Sequence, residues 1–159
     1  MKLKGLLLML VFMFSFIAVQ AQDKMFERFS NNKDITTVYI SKALLSMVPN
    51  MAGADMGGVN VKSLANKLEQ LEIYTSDSKK AFKEMLSEAD AMKKNKAYET
   101  LMSVKDKDQV VNFYAQRDGN GKFKDLIMFV NEESECTVIR IVGNFTMEDL
   151  QKVVNSAND

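Results

Sequence analysis

The chain opens with Lys2 and Lys4, then runs almost without a break through apolar residues from Leu6 to Val19, interrupted only by Ser15, before Gln20, Ala21 and Gln22. A basic start, a short apolar stretch and small residues at its end predict a secretory leader, with Val19 and Ala21 suiting signal peptidase. Cleavage after Ala21 leaves residues 22–159, with Gln22 first. A membrane-spanning helix needs about 20 apolar residues, more than this run supplies. No cysteine follows the cut to carry a lipid. The expectation is a periplasmic or secreted protein with no stable membrane anchor after cleavage.

Beyond the leader the pattern alternates between helical and strand periods. Met25, Phe26 and Phe29 fall on one side of a short helix from Asp23 to Phe29, opposite Asp23, Lys24, Glu27 and Arg28. Ile35 to Ile40 is β-branched and aromatic and reads as a strand. Ser41 suits an N-cap for a helix striped by Ala43, Leu44, Met47 and Val48, which stops before Pro49. Asn50 to Asn60, with Gly53, Gly57 and Gly58, has no period and reads as a loop. Val61 to Leu68 resumes helical spacing, and Leu71 to Thr75 reads as a second strand. A long helix then runs from Asp77 to about Lys94, capped by Ser76 or Asp77, with Ala81, Phe82, Met85, Leu86, Ala89 and Met92 on its apolar face. Lys93, Lys94 and Lys96 suit the negative end of that helix dipole and read as a solvated terminus.

The second half changes period. Tyr98 to Lys105, Val110 to Arg117, Phe123 to Val130 and Thr137 to Val142 are four β-rich runs separated by short polar stretches, the pattern of an antiparallel meander. Asp118, Gly119, Asn120 and Gly121 form the strongest turn signal. Gly143 and Asn144 are expected to end the last strand, and Thr146 with Asp149 forms a possible capping box for a closing helix carrying Leu150, Val153 and Val154. These elements predict a single α+β domain over residues 22–159. Its antiparallel sheet combines a four-stranded C-terminal meander with one or two N-terminal strands, and its helices pack on one face. Glu99, Ser103 and Lys105 at alternate positions, and Arg140 inside the last strand, suggest that the other face is partly wet. Tyr98, Tyr114 and Arg140 are therefore the candidate ligand-binding residues, the two tyrosines otherwise completing the core.

Composition narrows the chemistry. Basic and acidic residues balance at 21 each, and the leader removes two lysines, so nothing favours nucleic acid. Cys136 is the single cysteine, which excludes an internal disulfide and reads as a small buried hydrophobe. Histidine is absent, removing the commonest general base and the commonest transition-metal ligand. The Asp118 turn resembles the opening of a calcium loop, but Lys122 stands where an oxygen ligand is needed. Asp106 with Asp108, or Glu132, Glu133 and Glu135, are the carboxylates a histidine-free enzyme would use, though all fall in predicted turns. Met47, Met51 and Met56 offer three thioethers, a soft set suited to Cu(I). No nucleophile elbow, phosphate loop or dinucleotide fingerprint occurs, and no cofactor or catalytic residue is assigned.

The stretches Thr37-Val38-Tyr39-Ile40-Ser41-Lys42, Leu71-Glu72-Ile73-Tyr74-Thr75, Val111-Asn112-Phe113-Tyr114 before the Asp118-Gly119 hairpin, and Val142-Gly143-Asn144-Phe145 resemble a family of small exported Bacteroidetes proteins classed as a domain of unknown function. The resemblance spans nearly all of the chain after the leader and carries no active-site residue. It implies a Gram-negative cell-envelope location and a link of some members to envelope stress signalling. The leading expectation is a non-enzymatic module that binds a protein or small ligand through the exposed sheet face or the Asn50–Asn60 loop. The alternatives are a histidine-free enzyme and the methionine metal loop.

Overall fold

The computed structural model describes residues 24–47 and 67–156, with side chains as far as 151. Helix α1 covers 24–31 and is followed by β1 (Thr36–Ser41), α2 (Lys42–Met47), β2 (Leu68–Ser76), α3 (Lys79–Lys94), β3 (Glu99–Lys105), β4 (Gln109–Arg117), β5 (Phe123–Glu132), β6 (Cys136–Phe145) and α4 (Met147–Ser156). All six strands form one antiparallel sheet in the order β1-β2-β6-β5-β4-β3. The α+β class and the meander follow the alternation of the sequence. Two N-terminal strands join that meander along β6, because β2 presents Leu71 and Ile73 on one side and Tyr74 on the other.

Helices α1 and α3 lie on one face. Phe26 and Phe29 of α1, and Ala81, Met85, Ala89 and Met92 of α3, close over Tyr74, Val138, Phe129, Ile127 and Tyr114. The spacing of the α3 set keeps one stripe turned inward, as expected from the sequence. Arg28 pairs with Glu88 and Asn32 donates to Glu84 at 3.0 Å, which joins α1 to α3. Leu45 of α2 and Leu150 of α4 pack on the opposite face against the cluster of Ile40, Leu71, Ile141 and Leu126, so one end of that face is covered as well.

Several local expectations shift. α3 begins at Lys79 with Ser78 in the cap position and no side-chain cap bond, while Ser76 is the last residue of β2, its hydroxyl donating to the Asp34 carbonyl at 2.5 Å and accepting from the Ser78 amide at 3.1 Å. Leu68 opens β2 and does not close a helix, and 61–66 lie outside the described residues. β6 continues to Phe145, past Gly143. A bulge at Leu101 turns Glu99 to the face opposite Ser103 and Lys105, so these three do not share a face.

Two glycines are required by geometry. Gly121 has φ 80° in the β4–β5 turn, where the Asp118 carboxylate accepts from the amides of Asn120 at 2.8 Å and Lys122 at 2.9 Å. The turn is a hairpin, as expected. At Gly143 a Cβ would meet both the Lys67 carbonyl oxygen and the Phe145 ring, so the chain entering β2 and that ring close over it. The Thr146–Asp149 capping box forms in full: the Thr146 amide donates to Asp149 at 2.7 Å and the Asp149 amide to Thr146 Oγ1 at 3.3 Å.

Candidate functional site

Tyr98, Tyr114 and Arg140 lie on the face beneath α1 and α3, not on an open one. The expectation that Arg140 marks a wet face is overturned by the two carboxylates it meets there. Glu72 stands directly across from Arg140 in the β2–β6 register, and Asp125 lies diagonally across on β5. Arg140 Nη2 reaches Asp125 Oδ2 at 2.9 Å and its Nε lies 3.2 Å from the same oxygen, while Nη1 lies 3.6 Å from Glu72 Oε2. The Tyr98 hydroxyl donates to Asp125 at 3.0 Å and the Tyr74 hydroxyl to Glu72 at 3.0 Å, with Gln70 donating to the other Glu72 oxygen. Side-chain exposures of 14 % for Arg140, 9 % for Glu72 and 8 % for Asp125 show a network nearly sealed from water.

Burial pushes the Asp125 carboxyl above its ordinary value, outweighing the hydrogen bonds from Arg140 and Tyr98. The Tyr74 hydroxyl is pushed up to about 12, again chiefly by burial. One guanidinium thus serves two carboxylates that also accept from Tyr98, Tyr74 and Gln70, so the buried charges are paired and hydrogen-bonded. Tyr114 sits apart, its hydroxyl 3.5 Å from the Ala89 carbonyl of α3. The structure therefore joins Tyr98 to Arg140 through Asp125 and separates Tyr114 from both.

Asp106, Asp108, Glu132, Glu133 and Glu135 are all exposed around the β3–β4 and β5–β6 turns, and no desolvated cleft gathers them. Met47 is exposed at the end of α2, and Met51 and Met56 lie outside the described residues. Among the described residues no group of three His, Cys, Asp or Glu side chains is placed to hold a metal ion. Cys136 is buried, with its Sγ 2.8 Å from the Asn131 side-chain oxygen, and burial pushes its thiol up to about 12.

The second face carries the other distinctive surface. Register places Val38, Ile73, Ile139, Met128, Phe113 and Met102 side by side across all six strands. Beside them runs a second row, Thr36, Thr75, Thr137, Val130, Val111 and Val104. Neither row contains a charge. Val38, Met102 and Val104 are 43 %, 44 % and 47 % exposed at the two edges, with Ile73, Phe113, Met128 and Val130 half-buried between them and Ile139 buried at the centre. Past the second row stand the exposed carboxylates Glu132, Glu135 and Asp106. Sequence reasoning missed both Glu72 and Asp125 and this ladder. Carboxylates inside predicted strands were the visible signal for the first, but only the register shows what they face.

Fold and surface together define a small protein built on one antiparallel sheet, with a sealed ionic network under its helices and an uncharged half-face opposite. The chain belongs to the family described as Domain of unknown function (DUF4252), whose model matches residues 26–153. Comparison with curated proteins and with solved structures found no match.

Proposed function

We propose that this protein is an exported, non-enzymatic binding module of a Gram-negative cell envelope, periplasmic or secreted, that engages a protein partner through the open half of its second sheet face. The observation that carries this reading is the uncharged ladder from Val38 to Met102, in register across every strand and exposed at both edges. Large apolar side chains left exposed at both edges of an uncharged sheet face mark a contact site. A broad sheet surface suits a protein better than a small ligand, which favours a concavity. Export rests on the leader at residues 1–21, and the link to envelope stress signalling implied by the family resemblance would make the partner a signalling component.

Among the described residues the buried carboxylates are Glu72, Asp125 and Asp149, and each is held by a cation, the first two by Arg140 and the third by Lys67. That supports binding over catalysis. The Asn50–Asn60 loop remains the other contact proposed from sequence, and it lies outside the described residues. The reading is tested by intact-mass analysis of the envelope fraction together with affinity capture by wild type and by Met102→Asp/Val104→Asp. A mature chain starting at Gln22, and a partner retained by wild type and lost by a variant of unchanged thermal stability, are the expected results. Equal capture by both proteins would sink the sheet-face reading, and a cytosolic chain with its leader attached would sink export.

A further inference from the structure

The open half-face has a charge as well as a shape. Its two rows hold no ionisable residue, but the margin beyond the Thr36–Val104 row carries Glu132, Glu135 and Asp106. Glu132 accepts from Gln109 at 3.2 Å, Glu135 from the Thr137 hydroxyl at 3.5 Å, and Asp106 from the Lys107 amide at 2.7 Å. Among the described residues none of the three carboxylates has an ion-pair partner. Charged neighbours at the opposite margin are already paired: Arg117 with Glu99, Lys67 with Asp149, and Lys42 with Glu69. The face is therefore an uncharged band with one net negative side, where Glu132, Glu135 and Asp106 outnumber the neighbouring Lys107.

Resting on the binding reading above, we propose that the partner segment is a cationic amphipathic helix, its apolar stripe seated on the ladder and its Lys or Arg flank along Glu132, Glu135 and Asp106. A sheet face is buried by a helix or by another sheet, and α1 and α3 already cover the first face in the helical manner. Six strands at about 4.8 Å spacing extend roughly 24 Å between the outer two. That span matches a helix of about 16 residues at 1.5 Å per residue, so one segment can reach from Val38 across the half-buried Met128 and Phe113 to Met102, passing over the buried Ile139. The opposing potential supplies orientation, because a reversed helix would turn its basic flank toward margins whose carboxylates are already matched. An anionic membrane surface fits poorly, since the same three carboxylates repel it.

The test uses two synthetic helices of about 16 residues, sharing a leucine stripe and differing only in a lysine or a glutamate flank. Binding to the purified protein is read by fluorescence anisotropy at low and high salt. The lysine peptide should bind at least about 10-fold more tightly than the glutamate peptide, lose that advantage in high salt, and yield it to the glutamate peptide in Asp106→Lys/Glu132→Lys/Glu135→Lys. These residues are exposed, so the triple variant should fold, and circular dichroism checks that it does. Equal affinities, a preference that survives the reversal, no binding of either peptide, or charge-insensitive binding to phosphatidylglycerol vesicles would each overturn the inference. Loss of partner capture by Met102→Asp/Val104→Asp alongside any of those results would leave the binding reading intact and remove only the cationic helix.

Discussion

Phe26 lies over the guanidinium of Arg140, whose Cζ is 4.3 Å from the ring centroid. The same ring stacks on Tyr74 at 5.5 Å, and the Tyr74 hydroxyl donates to Glu72. A residue of α1 thus roofs the ionic network, so that helix, aromatic pair and charges stand or fall together.

Removing the cation should expose that dependence. Arg140→Met keeps much of the side-chain volume but strands Glu72 and Asp125 without a counter-charge, and should cost about 3–5 kcal/mol. Phe26→Leu removes the cation–π contact and the stacking while leaving the charges matched, and should cost about 1–2 kcal/mol. Urea midpoints at neutral pH compare the two. An Arg140→Met protein as stable as wild type would mean that the network is wetter than its geometry shows.

Two aspartates should respond to acid in opposite senses. The Lys67 ammonium, bonded to both Asp149 oxygens at 2.6 Å, and the capping amide hold Asp149 down at about 2. Its stabilising contribution is complete above the unfolded value of about 3.9 and fades as pH falls toward 2. Asp125 is raised by burial, so its ionised form is disfavoured in the fold, and its contribution worsens as pH climbs from about 3.9 upward. In urea titrations from low to neutral pH, the margin of wild type over Asp149→Asn should therefore widen with rising pH. The margin over Asp125→Asn should narrow. Parallel curves for both variants would contradict the assignment.

Cys136 should behave as an inert hydrophobe. With its thiol pushed up to about 12 by burial, reaction with a thiol reagent near pH 8 should be negligible in the native protein and complete after denaturation. Rapid native labelling would show that β6 opens readily at its first residue.

Gly143 and Gly121 separate two kinds of glycine requirement. Gly143→Ala drives a methyl into the Lys67 carbonyl oxygen and the Phe145 ring and should destabilise by about 1–3 kcal/mol. Gly121→Ala meets nothing within 4 Å, yet must hold a positive φ, and should cost about 1 kcal/mol. Thermal unfolding of both variants distinguishes a steric cost from a conformational one.

Much of the fold was legible because its signals are local. The stripe of α3, the Asp118 turn, the four meander strands and the Thr146–Asp149 box each depend on neighbours a few residues apart. What escaped depends on register. Arg140 looks like a solvent-facing charge until β2 is set beside β6, which places Glu72 opposite it and 68 positions away in sequence. Likewise Val38, Ile73, Ile139, Met128, Phe113 and Met102 are ordinary strand residues until six strands align them. The α3 cap falls at Ser78 for a similar reason, since Ser76 is held in β2 opposite Cys136 of β6.

The pairing of β2 with β6 also bears on when the molecule can become itself. β3 to β6 are joined by consecutive hairpins and can assemble as they emerge, but β2 finds its inner neighbour only in the last strand to be synthesised. Until β6 appears, β1 and β2 lack a third strand and have only α1 and α3 to pack against. Ribosome-bound chains that lack β6 should therefore remain protease-sensitive through β1 and β2 and gain resistance only once the last strand is complete.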